Sequence, residues 1–174
     1  MPRKAFDRIM CDVPCSGDGT LRKEPSIWTK WSPKNAIALH PVQLAIASRG
    51  VSLLKKGGIV AYSTCSLNVI ENEAVVAEVL RIHRGEVELM DMSTKLPRLK
   101  RRVGMTRWLV YGDDMSVIDI DNVVTTSRSM FPPSEKEISW MNLDRCLRIV
   151  PHDQNTGGFF VAMFRKTASS KKRK

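Results

Sequence analysis

The sequence lacks long hydrophobic runs, and this absence excludes a membrane-spanning helix. None of the apolar runs among its 174 residues approaches the roughly 18 residues that such a helix needs. A positively charged and then apolar secretory leader is absent as well. We therefore expect a protein that has no membrane partner.

Cysteine and histidine are scarce and scattered, which argues against a disulfide framework and a metal centre. The four cysteines form no CxxC pair and no dense pattern, so we expect reduced thiols in a chain of this length. Zinc takes about four ligands in proteins. Because Cys11-x3-Cys15 stands alone and only three histidines lie elsewhere, the sequence predicts no metal site.

A glycine-rich nucleotide loop is also missing. Such a loop follows the first strand of the doubly wound sheets that bind nucleotide-type cofactors, and an acidic residue ends the second strand. Here Gly17-x-Gly19 is followed by no third glycine and no immediate helix. The sequence therefore predicts the second half of such a domain.

Positive charge is abundant and concentrated. The net charge is +10, and residues 94–107 and 165–174 each carry six basic side chains and no acidic one. The rest of the chain holds slightly more acids than bases. Two such patches are typical of a surface that binds phosphates, and the alternative is a solvated loop with a frayed tail. The first patch consists of Lys95, Arg98, Lys100, Arg101, Arg102 and Arg107.

Two apolar runs with a helical segment between them indicate an α/β arrangement. Residues 6–13 and 59–64 read as buried strands. A helix is predicted to begin at the cap residue Ser32 and to end at the Lys-Lys-Gly-Gly segment 55–58. Pro41 interrupts this segment, so we expect a kink or two short helices.

The remaining pattern extends the same alternation of strands and helices. Asn68-x-x-Glu71 resembles a capping box, which predicts a helix from there to Ile82. Further strands are predicted at 87–92, 146–150 and 159–164. The alternation of three strands and two helices up to residue 92 predicts a parallel sheet with right-handed crossovers. Residues 1–166 would form one α/β unit with an irregular insertion at 93–144, and residues 167–174 a basic tail.

Two cysteines follow the two best-defined strands. Cys15 lies in Asp-Val-Pro-Cys-Ser-Gly-Asp-Gly-Thr at 12–20, and Cys65 lies in Ser-Thr-Cys-Ser-Leu-Asn at 63–68. Ligands of open α/β sheets bind beyond the carboxyl ends of the strands, so both thiols and Asp12 are expected to share one crevice. Because thiolates are strong nucleophiles, this pairing predicts covalent chemistry.

Three segments together resemble the Nol/Nop/Sun-type RNA (cytosine-5) methyltransferases, above all their eukaryotic tRNA-modifying members. The segments are 12–20, 62–68 and the His-x-x-Asn-Thr-Gly-Gly-Phe-Phe run at 152–160. The resemblance covers residues 6–166. It implies a doubly wound, S-adenosylmethionine-dependent domain of which this chain is the C-terminal part. It also implies RNA as the substrate, tRNA first, a nuclear or nucleolar location, and a monomer when complete.

The resemblance also implies roles for three residues. Cys65 matches the nucleophile that adds to C6 of cytosine, and Cys15 matches the cysteine that assists product release. Asp12 matches an aspartate that contacts the cofactor, and its position also suits the cytosine amino group and N3. Spacing does not fix the order of the two thiols. DNA (cytosine-5) methyltransferases attack with a Pro-Cys thiol, so the opposite assignment stays open.

Two other functional classes also fit parts of the sequence. A non-catalytic RNA-binding module or pseudo-enzyme would keep the basic patches, although the retention of both cysteines and Asp12 argues against it. A dithiol redox protein is disfavoured because neither cysteine lies in a CxxC motif. With the cofactor loop upstream, this chain alone is expected to bind cofactor weakly and to be inactive.

Several further residues have a structural and a functional interpretation. Cys11 and Cys146 are expected to be small buried side chains. Trp28 and Trp31 are expected to cover the core, with stacking on a flipped base as the alternative. His40 and Gln43 are expected to hydrogen-bond within the fold, and the 154–158 turn either approaches the RNA backbone or only turns tightly.

Overall fold

A mixed six-stranded sheet organises the chain in the computed structural model, which describes residues 5–122 and 128–167. The strands are β1 (Phe6–Asp12), β2 (Leu54–Thr64), β3 (Val87–Leu89), β4 (Arg102–Val103), β5 (Leu147–Ile149) and β6 (Phe159–Lys166). Their order is β1-β2-β6-β5-β4, with β3 also paired to β6. The helices are α1 (Ile27–Lys30), α2 (Pro33–Leu53), α3 (Glu73–Ile82), α4 (Glu135–Met141) and α5 (Pro151–Gln154).

The α/β fold class is confirmed, and the three strands predicted to be parallel, β1, β2 and β3, run in one direction, but the antiparallel strand β6 lies between β2 and β3. Strands β1 and β2 are parallel, whereas β6 runs antiparallel to β2, β3 and β5. The segment between β5 and β6 explains the reversal. It is only nine residues long, and a parallel connection needs a crossover of about a dozen residues or more.

Helix α2 is a single helix of 21 residues, so the predicted break at Pro41 does not occur. Pro41 is exposed, and water can bond the carbonyl that its missing N–H leaves without a donor. The helix also ends earlier than predicted. Residues 55–58 lie within β2, where the pairing with β1 shifts register and Gly57 adopts a φ of 75°.

The predicted capping box at Asn68 and Glu71 is also wrong. Helix α3 begins at Glu73, and the Glu71 carboxylate is buried in side-chain hydrogen bonds. A capping box occurs instead at the start of α4, where Ser134 and Glu137 exchange both of its bonds. The physical reason is that Glu71 has buried hydroxyl and amide donors within reach, so it does not serve the helix terminus.

The core lies between the sheet and the helices α2 and α3. Tyr62, Phe160 and Phe164 of the sheet are almost completely buried, as are the valines of α3. Cys11 and Cys146 are buried too, as predicted. Burial of this apolar surface is the main driving force for the fold.

The segment 93–144 contains little regular structure where it is described. It holds β4, α4 and short 3-10 turns, yet Trp108, Met130 and Phe131 from this segment join the core. The basic tail lies outside the described residues except for Thr167. None of the helices in the described part of the chain is both long and apolar enough to cross a membrane.

Candidate active site

The two thiols singled out by the sequence meet at one edge of the sheet. Sγ of Cys15 lies 3.3 Å from Sγ of Cys65, and both cysteines are free and partly buried. Parallel pairing of β1 with β2 causes this encounter. Asp12 is opposite Ser63, and the Val13 N–H donates to the Ser63 carbonyl at 3.1 Å, so both following loops leave the sheet side by side.

Asp12 is exposed where β1 ends. One carboxylate oxygen accepts a hydrogen bond from Ser63 Oγ at 2.8 Å, and no protein group in the described residues bonds the other. An exposed carboxylate with a free oxygen fits a cationic ligand.

The Glu71 carboxylate joins the two cysteine loops. Its Oε2 accepts from Ser16 Oγ at 2.5 Å and from Ser66 Oγ at 2.6 Å, and its Oε1 accepts from the Ser16 N–H at 2.8 Å. Gln43 Nε2 donates to Oε1 at 2.9 Å as well. Glu71 is fully buried. It therefore ties the residue after Cys15 to the residue after Cys65.

Two side chains outside these loops complete this network. Gln43 Nε2 also donates to the Pro14 carbonyl at 2.9 Å, and Trp31 Nε1 donates to Ser16 Oγ at 3.1 Å. Gln43 thus bonds within the fold, as predicted. Trp28 does not cover the core as expected, because 73% of its surface is exposed.

Backbone contacts fix the Cys65 loop from a second side. The Gly19 N–H donates to the Cys65 carbonyl at 2.9 Å, and the Gly158 N–H donates to the Gly19 carbonyl at 2.7 Å. A Cβ atom at Gly19 would lie only 2.5 Å from the Cys65 carbonyl oxygen. Glycine is therefore required here by close backbone packing, which links the 154–158 turn to the cysteine pair.

A buried ion pair supports the segment that follows Cys65. Arg148 pairs with Glu73, and its Nη1 donates to the Leu67 carbonyl at 2.9 Å. Neither partner was identified from the sequence, because one lies on α3 and the other on the distant strand β5. The sequence signal for this pair is an arginine between two apolar residues of a short strand.

His40 bonds within the fold, as predicted. Its ring nitrogens lie 2.7 Å from the Ile70 carbonyl and 2.8 Å from Ser129 Oγ. Burial lowers its pKa. Across the residues that the structure describes, no three His, Cys, Asp or Glu side chains are arranged to hold a metal ion.

The Cys15 thiol is held in its protonated form. Burial, followed by the hydrogen bond with Cys65, raises the pKa of the Cys15 thiol to about 12. Cys15 therefore keeps its proton near neutral pH. Since the thiolate is the reactive form of cysteine, this protonated thiol is a poor nucleophile and a suitable hydrogen-bond donor to its neighbour.

Comparisons with known proteins agree over nearly the whole chain. A family profile described as 16S rRNA methyltransferase RsmB/F matches residues 1–165. The multisite-specific tRNA:(cytosine-C(5))-methyltransferase trm4b of Schizosaccharomyces pombe is 50% identical over 167 residues, which is 93% of this chain and 24% of that protein. The multisite-specific tRNA:(cytosine-C(5))-methyltransferase of Saccharomyces cerevisiae is 50% identical over 165 residues, 95% of this chain and 24% of that protein.

A solved structure shares the fold. The methyltransferase homolog protein from Pyrococcus horikoshii has a TM-score of 0.62 and 26% identity, and the match covers 94% of this chain and 40% of that one. The chain thus spans about a quarter of the length of the two curated relatives.

Proposed function

This chain belongs to the RsmB/F methyltransferase family, and we propose that it contributes the cytosine-binding and nucleophilic part of an RNA (cytosine-5) methyltransferase that acts on tRNA. The observation that carries the proposal is the contact between Cys15 and Cys65 beyond two parallel strands. The names of the two 50% identical relatives support both the reaction and tRNA as substrate.

The Cys65 thiolate adds to C6 of cytosine and forms a sulfur–carbon bond. This addition breaks the aromatic conjugation and makes C5 an enamine-like carbon nucleophile. S-adenosylmethionine supplies the methyl group that C5 accepts. A base then takes the C5 proton, the electrons return to the ring, and the bond between Cys65 and C6 breaks.

Cys15 assists this last step in the proposal. Its proton is retained near neutral pH, and its sulfur lies 3.3 Å from that of Cys65. It can therefore donate a hydrogen bond to the sulfur that carries the departing electron pair. The resemblance matches Cys65, not Cys15, to the nucleophile, and the trapping experiment below tests the opposite assignment.

Asp12 contributes a carboxylate to the same crevice. Its exposed oxygen is suited to hold the cationic part of the cofactor and to bond the cytosine amino group. We propose that residues 1–174 transfer no methyl group by themselves, since the resemblance places the main cofactor loop in sequence before β1. Calorimetry with S-adenosylmethionine tests this point, and tight binding by the chain alone would contradict it.

Trapping with 5-azacytosine RNA tests the proposed function in a full-length enzyme that carries this chain. We expect a covalent adduct that Cys65→Ala abolishes, whereas Cys15→Ala makes a complex with ordinary cytosine RNA accumulate. Cys11→Ala is the matched control, because this buried thiol lies outside the pair. Loss of the adduct in Cys15→Ala would reverse the roles, and no adduct in the wild type would favour a non-catalytic RNA-binding module.

Nuclear localisation stays a prediction. It depends on the resemblance and on the basic residues 171–174, which lie outside the described residues.

A further inference from the structure

Two cavities adjoin the turn that packs against the cysteine loops. One has a volume of about 440 Å³ and is lined by Gly19, Thr20, Arg22 and Lys23 together with residues 155–157. The other has a volume of about 480 Å³ and is lined by residues 96–99 with Gln154 and Thr156. Thr156 lines both, so the two cavities are neighbours. We call them together the basic cleft.

The charge of the basic cleft is entirely positive. Arg22 and Lys23 line the first cavity, and Arg98 lines the second. No acidic side chain lines either cavity. Arg22 is held in place, because its Nη2 donates to Asn155 Oδ1 at 2.8 Å. A concave surface with three cations and no acid attracts phosphates.

The basic side chains of residues 94–107 differ in whether other groups of the protein already bind them. Arg102 pairs with Asp153, Arg107 pairs with Glu135, and Arg101 donates to three backbone carbonyls. Arg98 has no carboxylate within ion-pair distance in the described part of the chain, and the same is true of Lys23 in the first loop. Arg98 and Lys23 therefore bring unpaired positive charge to the cleft.

The basic cleft is connected directly to the cysteine pair. Gly19 lines the cleft, and its N–H donates to the Cys65 carbonyl at 2.9 Å. The Arg98 side is held to the same turn, since Gln154 bonds both the Arg98 carbonyl and the Lys100 N–H. An RNA strand whose target cytosine reaches Cys65 therefore has the phosphates of its neighbouring nucleotides within reach of the basic cleft.

We propose that the basic cleft binds the phosphates of the RNA nucleotides beside the target cytosine, with Arg22, Lys23 and Arg98 as the binding residues. This inference rests on the proposed function for the identity of the strand. Phosphate contacts position a nucleic acid without reading its sequence. The cleft accordingly sets affinity and register, whereas Cys65 and its neighbours carry out the chemistry.

Binding of a fluorescently labelled single-stranded RNA by the chain tests the proposal. Lys23→Ala combined with Arg98→Ala should weaken binding about tenfold at moderate salt, to a similar extent for different RNA sequences. It should also reduce the slope of log K against log salt by about 1.4, because each phosphate contact on a single strand contributes about 0.7.

The matched control removes the same charge elsewhere. Arg49→Ala combined with Lys136→Ala changes two exposed basic side chains on α2 and α4, neither of which lines the cleft. All variants keep residues 171–174, so the comparison isolates the cleft. If the alanine pair does not fold, Lys23→Gln with Arg98→Gln makes the same test with side chains of similar length. Equal affinities and equal salt slopes for cleft and control variants would overturn the proposal.

Adduct formation separates this inference from the proposed function. In the full-length enzyme, the cleft variant should need about tenfold more 5-azacytosine RNA for half-maximal trapping and should reach the same plateau. A lower plateau at unchanged half-maximal concentration would contradict a binding role for the cleft. Weaker RNA binding in the cleft variant, with no trapping in the wild type, would support the cleft and refute the methyltransferase proposal.

Discussion

Replacing Glu71 by glutamine tests whether this buried carboxylate holds the two cysteine loops together. The amide oxygen can still accept from the Ser16 N–H and from Gln43, but the amide NH₂ then faces the hydroxyls of Ser16 and Ser66. Both hydroxyls lose the oxygen that accepts their protons. Glu71→Gln therefore replaces two charge-assisted bonds by neutral N–H···O bonds and leaves both hydroxyl protons without their acceptor.

The expected cost follows from these two bonds. A hydrogen bond to a charged group contributes about 1.5–3 kcal/mol, so the two together contribute roughly 3–6 kcal/mol. Removing a buried charge relieves part of its desolvation cost, which reduces the loss to about 2–4 kcal/mol. For a chain of this size, that corresponds to a decrease in Tm of about 5–15 °C.

Thermal unfolding followed by circular dichroism measures this effect. Glu88→Gln is the matched control, because Glu88 is exposed on β3 and its loss should change Tm by no more than about 2 °C. In the full-length enzyme, Glu71→Gln should also reduce the 5-azacytosine adduct at saturating RNA, since the two thiols are no longer held in register. Equal Tm values for Glu71→Gln and Glu88→Gln would refute the reasoning.

Three further predictions concern the surroundings of the thiols. Gly19→Ala should destabilise the chain by about 1–3 kcal/mol and lower trapping, because the new Cβ would lie 2.5 Å from the Cys65 carbonyl oxygen; denaturant unfolding and adduct yield measure both effects. Arg148→Met should cost about 3–5 kcal/mol in denaturant unfolding, since it leaves Glu73 buried without its partner. Iodoacetamide should modify Cys15 slowly up to about pH 9 and faster toward pH 12, because its pKa is raised from 9.0 to about 12. The same shift means that the stability contributed by protonated Cys15 is complete below pH 9.0 and is lost as the pH rises toward about 12.

Each of these predictions has a result that would contradict it. A Gly19→Ala chain with unchanged stability would show that the backbone can separate at this contact. An Arg148→Met chain as stable as the wild type would mean that Glu73 finds another partner. Full alkylation of Cys15 at about pH 8 in the folded chain would show that burial does not protect its proton.

The meeting of the two cysteines could be predicted from the sequence because its causes are local. Each thiol follows an apolar run that ends in a short polar loop, and the helix-sized segment between the runs imposes a parallel pairing. The register of β1 and β2 then places Asp12 opposite Ser63 and brings the loops together. The same local signals indicated β6, although not its direction.

The groups that hold the site could not be predicted, because their partners are distant in the sequence. Glu71 bonds Ser16 at a separation of 55 residues, and Arg148 bonds Glu73 at a separation of 75. A capping-box pattern near Asn68 was the nearest local interpretation of Glu71, and tertiary hydrogen bonds override it. The direction of β6 likewise depends on the short return from β5.

The most direct test of the account is the site of covalent attachment in the trapped 5-azacytosine complex. Trypsin separates the two thiols, since residues 9–22 and residues 57–81 form separate peptides. Mass spectrometry of the digested wild-type complex should find the nucleotide on the 57–81 peptide, attached to Cys65. Attachment to Cys15 in the 9–22 peptide would contradict the assignment of Cys65 as the nucleophile.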